Sequence, residues 1–296
     1  MIQSARRWTL GAFLLLVLGS GVLRAQTVSI ASIDPTTFPT LSASVYAFDA
    51  AGVQQNLTPA DLALTENGVA RRVLSVTCPP QNPPRDLSSV LVVDASGSMA
   101  YGPGLQPNID LARAAARAWV NALPLGASEC ALTSFDHGNA LHQDFTVDRT
   151  RLLTAIAGLE PEGGTDYNMA LLNPVAGGLQ ISRRGVHKRV IVFLTDGMPQ
   201  SPTDVAAIIA EADRQDCAIY VVTLGMPCPQ ELRDIAGATD ASWYENVTSV
   251  EQAEQIYREI LFQARSSEPC RITWETVPCP DGIRNVELAW NAARGR

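Results

Sequence analysis

The chain of 296 residues carries a formal net charge of −8 and 46% hydrophobic residues. That is enough length and apolar content for one large domain and a smaller one. The acidic balance, with no basic stripe to neutralise phosphates, argues against nucleic acid as a partner.

The N-terminus reads as an export signal. Arg6 and Arg7 precede an uncharged run from Trp8 to Leu23, and small residues lead to a cut after Ala25. The run holds 16 residues, short of the roughly 20 that span a bilayer. Loss of residues 1–25 removes Arg6, Arg7 and Arg24 and makes the remainder more acidic still. No later stretch is apolar and long enough to cross a membrane, so the expected location is secreted, periplasmic or at the cell surface. An exported chain with six cysteines (Cys78, Cys130, Cys217, Cys228, Cys270, Cys279) is expected to form disulfides. Cys270 and Cys279 are spaced as neighbours across a hairpin.

Residues 26–85 read as strands. Leu41, Ala43, Val45 and Ala47 recur at every second position, and Asn67-Gly68 is a hairpin turn signal. Val73 and Val76 follow, and then a proline cluster, Pro79, Pro80, Pro83 and Pro84, reads as a linker.

Residues 86–265 alternate between strands and helices. The apolar runs Val90–Val93, Val190–Leu194 and Ile219–Val222 suit parallel strands covered on both faces. Leu111, Ala115, Ala118 and Ala122 share one face of an intervening helix, and Val205, Ile208, Ile209 and Ala212 one face of another. Ser201-Pro202 with Asp204, and Ser249 with Gln252, are helix starts. A last helix buries Ala253, Ile256, Tyr257 and Ile260. The fold class is α/β, a doubly wound and mostly parallel sheet. Residues 266–296 return to strand alternation at Ile272 and Trp274, then Val286, Leu288 and Trp290. Two strands are unstable alone in water, so this segment is expected to pair with residues 26–85 in one small β-sandwich, with the α/β domain inserted.

Chemistry concentrates where strands end. Asp94-Ala95-Ser96-Gly97-Ser98 follows the first apolar run, Gly163-Gly164-Thr165-Asp166 precedes a helix, and Thr195-Asp196-Gly197 ends the long run from Val190. Ligands of an open parallel sheet bind at the carboxyl ends of its strands, so all three stretches are expected on one edge. Asp94 and Asp196 offer anionic oxygen, and Ser96, Ser98 and Thr165 offer hydroxyl oxygen. This all-oxygen set suits Mg²⁺, Mn²⁺ or Ca²⁺ and suits zinc or copper poorly.

Asp-x-Ser-x-Ser followed by a distant Thr and a distant Asp resembles the metal-ion-dependent adhesion site of von Willebrand factor type A domains. The resemblance extends from about Asp86 to Phe262. It implies a doubly wound fold like that of integrin inserted domains, and a cation, usually Mg²⁺, touched by Ser96, Ser98 and Thr165. It also implies that Asp94 and Asp196 act directly or through water, and that a partner's Asp or Glu completes the shell. Tyr101, Asp166, Tyr167 and Met198 are expected around the site by proximity in sequence. The function implied is adhesion or protein binding. The alternative is a structural cell-envelope module whose metal only stabilises the fold.

Catalysis is not expected. Gly-x-Ser-x-Gly is absent, and His137 and His142 sit near a short strand pair rather than beside a nucleophile. Some intracellular members of the family partner chaperone-like ATPases, but the signal and the cysteines argue against a cytoplasmic home.

Overall fold

The computed structural model describes residues 27–49, 53–80, 83–102, 106–266, 268–278 and 285–290. The expected signal segment and Cys279 lie outside the described residues.

The first part of the chain forms β1 (Thr27–Asp34), β2 (Thr40–Phe48), β3 (Leu62–Glu66), β4 (Val69–Arg71) and β5 (Val73–Thr77). Then come β6 (Leu87–Asp94), α1 (Asn108–Ala122), β7 (Glu129–Phe135), β8 (Asn139–Thr146), α2 (Arg149–Ala157), α3 (Tyr167–Leu172) and α4 (Gly178–Ser182). These are followed by β9 (Lys188–Thr195), α5 (Val205–Gln215), β10 (Cys217–Leu224), α6 (Gln230–Ala238), β11 (Trp243–Val247) and α7 (Val250–Arg265). The chain closes with β12 (Cys270–Glu275) and β13 (Val286–Trp290).

A six-stranded sheet in the order β11-β10-β9-β6-β7-β8 forms the centre, parallel except for the β7–β8 pair. The apolar runs sit at its middle because β6, β9 and β10 are covered on both faces. Leu91 and Val93 join a core with α1, α2 and α7, and Val90 and Val92 join the opposite one with α3, α4, α5 and α6. Trp119 anchors α1 by donating its indole N–H to Ser89 Oγ at 3.0 Å and meeting Tyr257 of α7 edge-on at 6.3 Å. The face read for α1 is buried at Leu111, Ala115 and Ala118, whereas Ala122, its last residue, is exposed and burial passes to Leu123. Asp204 alone caps α5, accepting from Ala207 N, and Ser249 caps α7 by accepting from Gln252 N. No helix of the described residues is long and apolar enough to cross a membrane.

Both ends of the chain enter two further, antiparallel sheets. β12 lies between β2 and β5, and β13 pairs with β3, which turns into β4 through Asn67 and Gly68, both at positive φ. Leu41, Ala43, Val45 and Ala47 pack with Leu64, Ile272 and Trp274 between the sheets. Buried Glu66 is matched there by Arg71 at 3.0 Å and by the Thr276 hydroxyl. The opposite face of β2 meets the α/β domain, where Phe48 packs on Phe262 of α7 at 5.2 Å. Next to this contact lies a crevice of about 880 Å³, lined by Tyr46, Tyr220, Asp240 and Lys188. Lys188 is the only lysine in the chain. It donates to Ala264 O at the end of α7, and burial beside Arg85 holds its ammonium below the usual range.

The disulfide differs from the spacing argument. Cys270 is bonded to Cys78, 192 residues away, and not to Cys279. β12 runs beside β5, and this pairing brings the two sulfurs together where a local hairpin was expected. Cys130, Cys217 and Cys228 are buried free thiols.

Candidate functional site

The order of the central sheet reverses at β6, whose neighbours are β7 on one side and β9 on the other. The carboxyl ends of β6 and β9 therefore flank a crevice-forming switch point. Asp94 ends β6 and Asp196 follows β9. Backbone hydrogen bonds tie the third stretch to them. Glu162 N donates to Ala95 O at 2.6 Å, Gly97 N to Gly163 O at 2.9 Å, and Gln200 N to Thr165 O at 2.9 Å.

The side chains converge as the loops do. Ser96 Oγ and Ser98 Oγ lie 3.0 Å apart, and the Ser98 hydroxyl donates to Asp196 Oδ1 at 2.6 Å. Thr165 joins through the missing side chain of Gly197. A Cβ built there would stand 3.2 Å from Thr165 Oγ1 and 3.6 Å from Ser98 Oγ, so both hydroxyls border that glycine. Asp94 lies beneath, accepting from Ser96 N at 2.7 Å through Oδ1 and from the Thr195 hydroxyl at 2.5 Å through Oδ2. It has no solvent exposure. Burial pushes its carboxyl up to about 6, outweighing the hydrogen bonds from Ser96 and Thr195 that pull it down, while repulsion from Asp196 adds to the rise.

Among the described residues no three of His, Cys, Asp and Glu come together as a metal cage. A cation here would have to take hydroxyl oxygen as well as carboxylate. Two carboxylates and three hydroxyls are a hard donor set of the kind Mg²⁺ accepts.

Of the four residues expected around the site, Tyr101 and Met198 are exposed, at 76% and 58%. Asp166 is half-buried and caps α3 by accepting from Met169 N at 3.0 Å. Tyr167 is a correction. It is fully buried against Phe193, with ring centres 5.3 Å apart, because the first turn of α3 faces the sheet. Its hydroxyl donates to Gly197 O at 2.6 Å, so it supports the loop from below and is no contact surface.

Three contributors were missed in the sequence. Thr195 holds Asp94, Asn108 donates to Asp196 Oδ2 at 2.8 Å, and His137 stands over Gly163. A polar Thr ending an apolar run and directly preceding Asp196 was a usable signal. Asn108 and His137 had none, since their contacts join residues far apart in sequence.

Gly163 sits at φ +75°, and a Cβ there would collide with His137 Nδ1 and Asp136 Oδ2. Gly163→Ala is therefore expected to displace the loop that carries Thr165 and to weaken cation binding by about tenfold or more. Calorimetric titration with Mg²⁺, beside an unchanged circular dichroism spectrum, checks this.

Comparisons with known proteins bear on the central α/β fold. Residues 89–199 match the model of the von Willebrand factor type A domain. No curated protein sequence matches the chain. Among solved structures, a von Willebrand factor type A protein from Catenulispora acidiphila is similar with a TM-score of 0.53 at 14% identity, covering 90% of this chain and 69% of that one. Proximal thread matrix protein 1 from the mussel byssus, solved with zinc in its MIDAS motif, is similar with a TM-score of 0.53 at 17% identity. That alignment covers 63% of this chain and 48% of the mussel protein. Likeness at this identity shows the fold alone. Together, the family match and the architecture of the central sheet support the α/β part of this chain as a von Willebrand factor type A domain.

Proposed function

We propose that this domain holds one divalent cation through Asp94, Ser96, Ser98, Thr165 and Asp196, and uses it to bind a protein partner that presents Asp or Glu. The supporting observation is the convergence of the Ser96, Ser98 and Asp196 oxygens within 3.0 Å steps at the sheet's carboxyl edge. A cation among two carboxylates and neutral hydroxyls attracts a further acid, which an acidic chain would otherwise repel. Mg²⁺ is the favoured ion and Mn²⁺ or Ca²⁺ the next. The zinc in the mussel protein's motif adds Zn²⁺ to the panel worth titrating. The bound metal supplies charge and an open coordination position. Tyr101 and Met198, both exposed, supply apolar surface beside it.

The N-terminal segment and the Cys78–Cys270 disulfide support export and a partner outside the cytoplasm. The proposed role is binding rather than turnover. Capture from native extracellular material in Mg²⁺, with release by chelator, tests this reading against an Asp94→Ala bait. The partner is expected on the unmodified bait alone, and retention in chelator defeats the mechanism. A metal that only stabilises the fold would raise the unfolding temperature without any Mg²⁺-dependent capture.

A further inference from the structure

The two oxygens of Asp196 have different neighbours. Oδ1 accepts from Ser98 within the hydroxyl cluster, whereas Oδ2 accepts from Asn108 Nδ2 at 2.8 Å. Asn108 is the first residue of α1 and only 7% exposed. Its backbone N–H donates to Tyr101 O at 2.7 Å, and a Cβ on Gly102 would come within 2.9 Å of its Oδ1. Tyr101 and Gly102 thus lie close against this one residue.

The amide is also half-satisfied. Asn108 Oδ1 is buried and has no hydrogen-bond partner among the described residues, a cost that an apolar side chain in the same place would avoid. Turning the amide over would set its carbonyl oxygen against a carboxylate oxygen, so the orientation follows from chemistry. Packing alone does not account for an asparagine here. The hydrogen bond to Asp196 does.

We propose that Asn108 is a positioning residue that leaves Asp196 one oxygen for a cation, and so biases the site toward Mg²⁺ over Ca²⁺. The proposal rests on reading the cluster as a cation site. Ca²⁺ takes 6–8 oxygens and often both oxygens of a carboxylate, whereas Mg²⁺ requires a compact octahedron of single oxygens. With Oδ2 held by Asn108, Asp196 is not free to chelate a large ion through both oxygens. Releasing Oδ2 of Asp196 removes that restriction.

Calorimetric titrations of the full chain with Mg²⁺ alone and with Ca²⁺ alone, repeated for Asn108→Ala and Asn108→Leu, test this. Both variants delete the unpartnered oxygen, so neither is expected to lose the fold, and unfolding in chelator verifies it. The ratio of Ca²⁺ to Mg²⁺ affinity is expected to rise by about tenfold in each. A merely structural role would weaken both ions in parallel and leave the ratio unchanged, which would overturn the proposal. Absence of binding of either ion to the unmodified chain would instead overturn the cation reading.

Discussion

Asp94→Asn is expected to raise the unfolding temperature of the metal-free protein and, in the same molecule, to abolish stabilisation by Mg²⁺. Asp94 is fully buried, and burial lifts its carboxyl from 3.8 to about 6. A group whose pKa is raised in the fold binds more protons folded than unfolded between these values. Its protonated form is therefore favoured in the native state, and the advantage is lost as pH rises through about 6. At neutral pH the ionised group costs on the order of 3 kcal/mol. An amide removes that cost. It replaces one acceptor by a donor, but Thr195 can turn its hydroxyl to Gly197 O at 3.2 Å, which limits the new mismatch. A net gain of about 1–3 kcal/mol corresponds to a rise of several degrees.

The same charge is what a cation would need. Ligand carboxylates bind metal deprotonated, so in the unmodified chain the Mg²⁺-induced shift is expected to be large at pH 7.5 and to shrink as pH falls through about 6. Scanning calorimetry in chelator and in Mg²⁺ at pH 5 and 7.5 reads both effects. A variant less stable in chelator than the unmodified chain, or one that keeps its Mg²⁺ shift, would sink the argument.

The sequence revealed most where a physical constraint acts along the chain. Val90–Val93 and Val190–Leu194 are legible because a strand covered on both faces favours a continuous apolar run. Asp94 and Asp196 are legible for the converse reason, as the first charges after such runs. β8 was read only as part of a short strand pair near His137 and His142, because its alternation, half-buried on one face, carries no apolar run. Tyr167 was misplaced because adjacency to a glycine loop says nothing about which way the first helical turn faces. Asn108 and Asp196 meet across 88 residues, and Cys78 and Cys270 across 192. No local period encodes such contacts; only the sheet order creates them.

Removing the Cys78–Cys270 bond is expected to split unfolding into two steps, with the antiparallel sheets melting first. The bond joins the segment after β5 to the start of β12 and encloses everything from β6 to α7. If the α/β domain were unfolded, opening a loop of that length would cost on the order of 5 kcal/mol. With that domain folded the closure is shorter, because Arg85 N already donates to Arg265 O at 2.8 Å and holds the two linkers together. The bond then closes only the linkers and contributes about 3 kcal/mol to the sandwich. That is a large share of what a small core supplies. β12 suffers most, since it lies between β2 and β5 and belongs to both pairings. The central sheet has its own two cores and its own helices, and is expected to keep its unfolding temperature and its Mg²⁺ shift. Cys130, Cys217 and Cys228 are already free thiols, so among the described cysteines a mild reductant acts only on the Cys78–Cys270 bond. Calorimetry of Cys78→Ser/Cys270→Ser, beside the unmodified chain in reductant, should give the same early transition in both, and a single unshifted transition in either would show that the bond carries no such load.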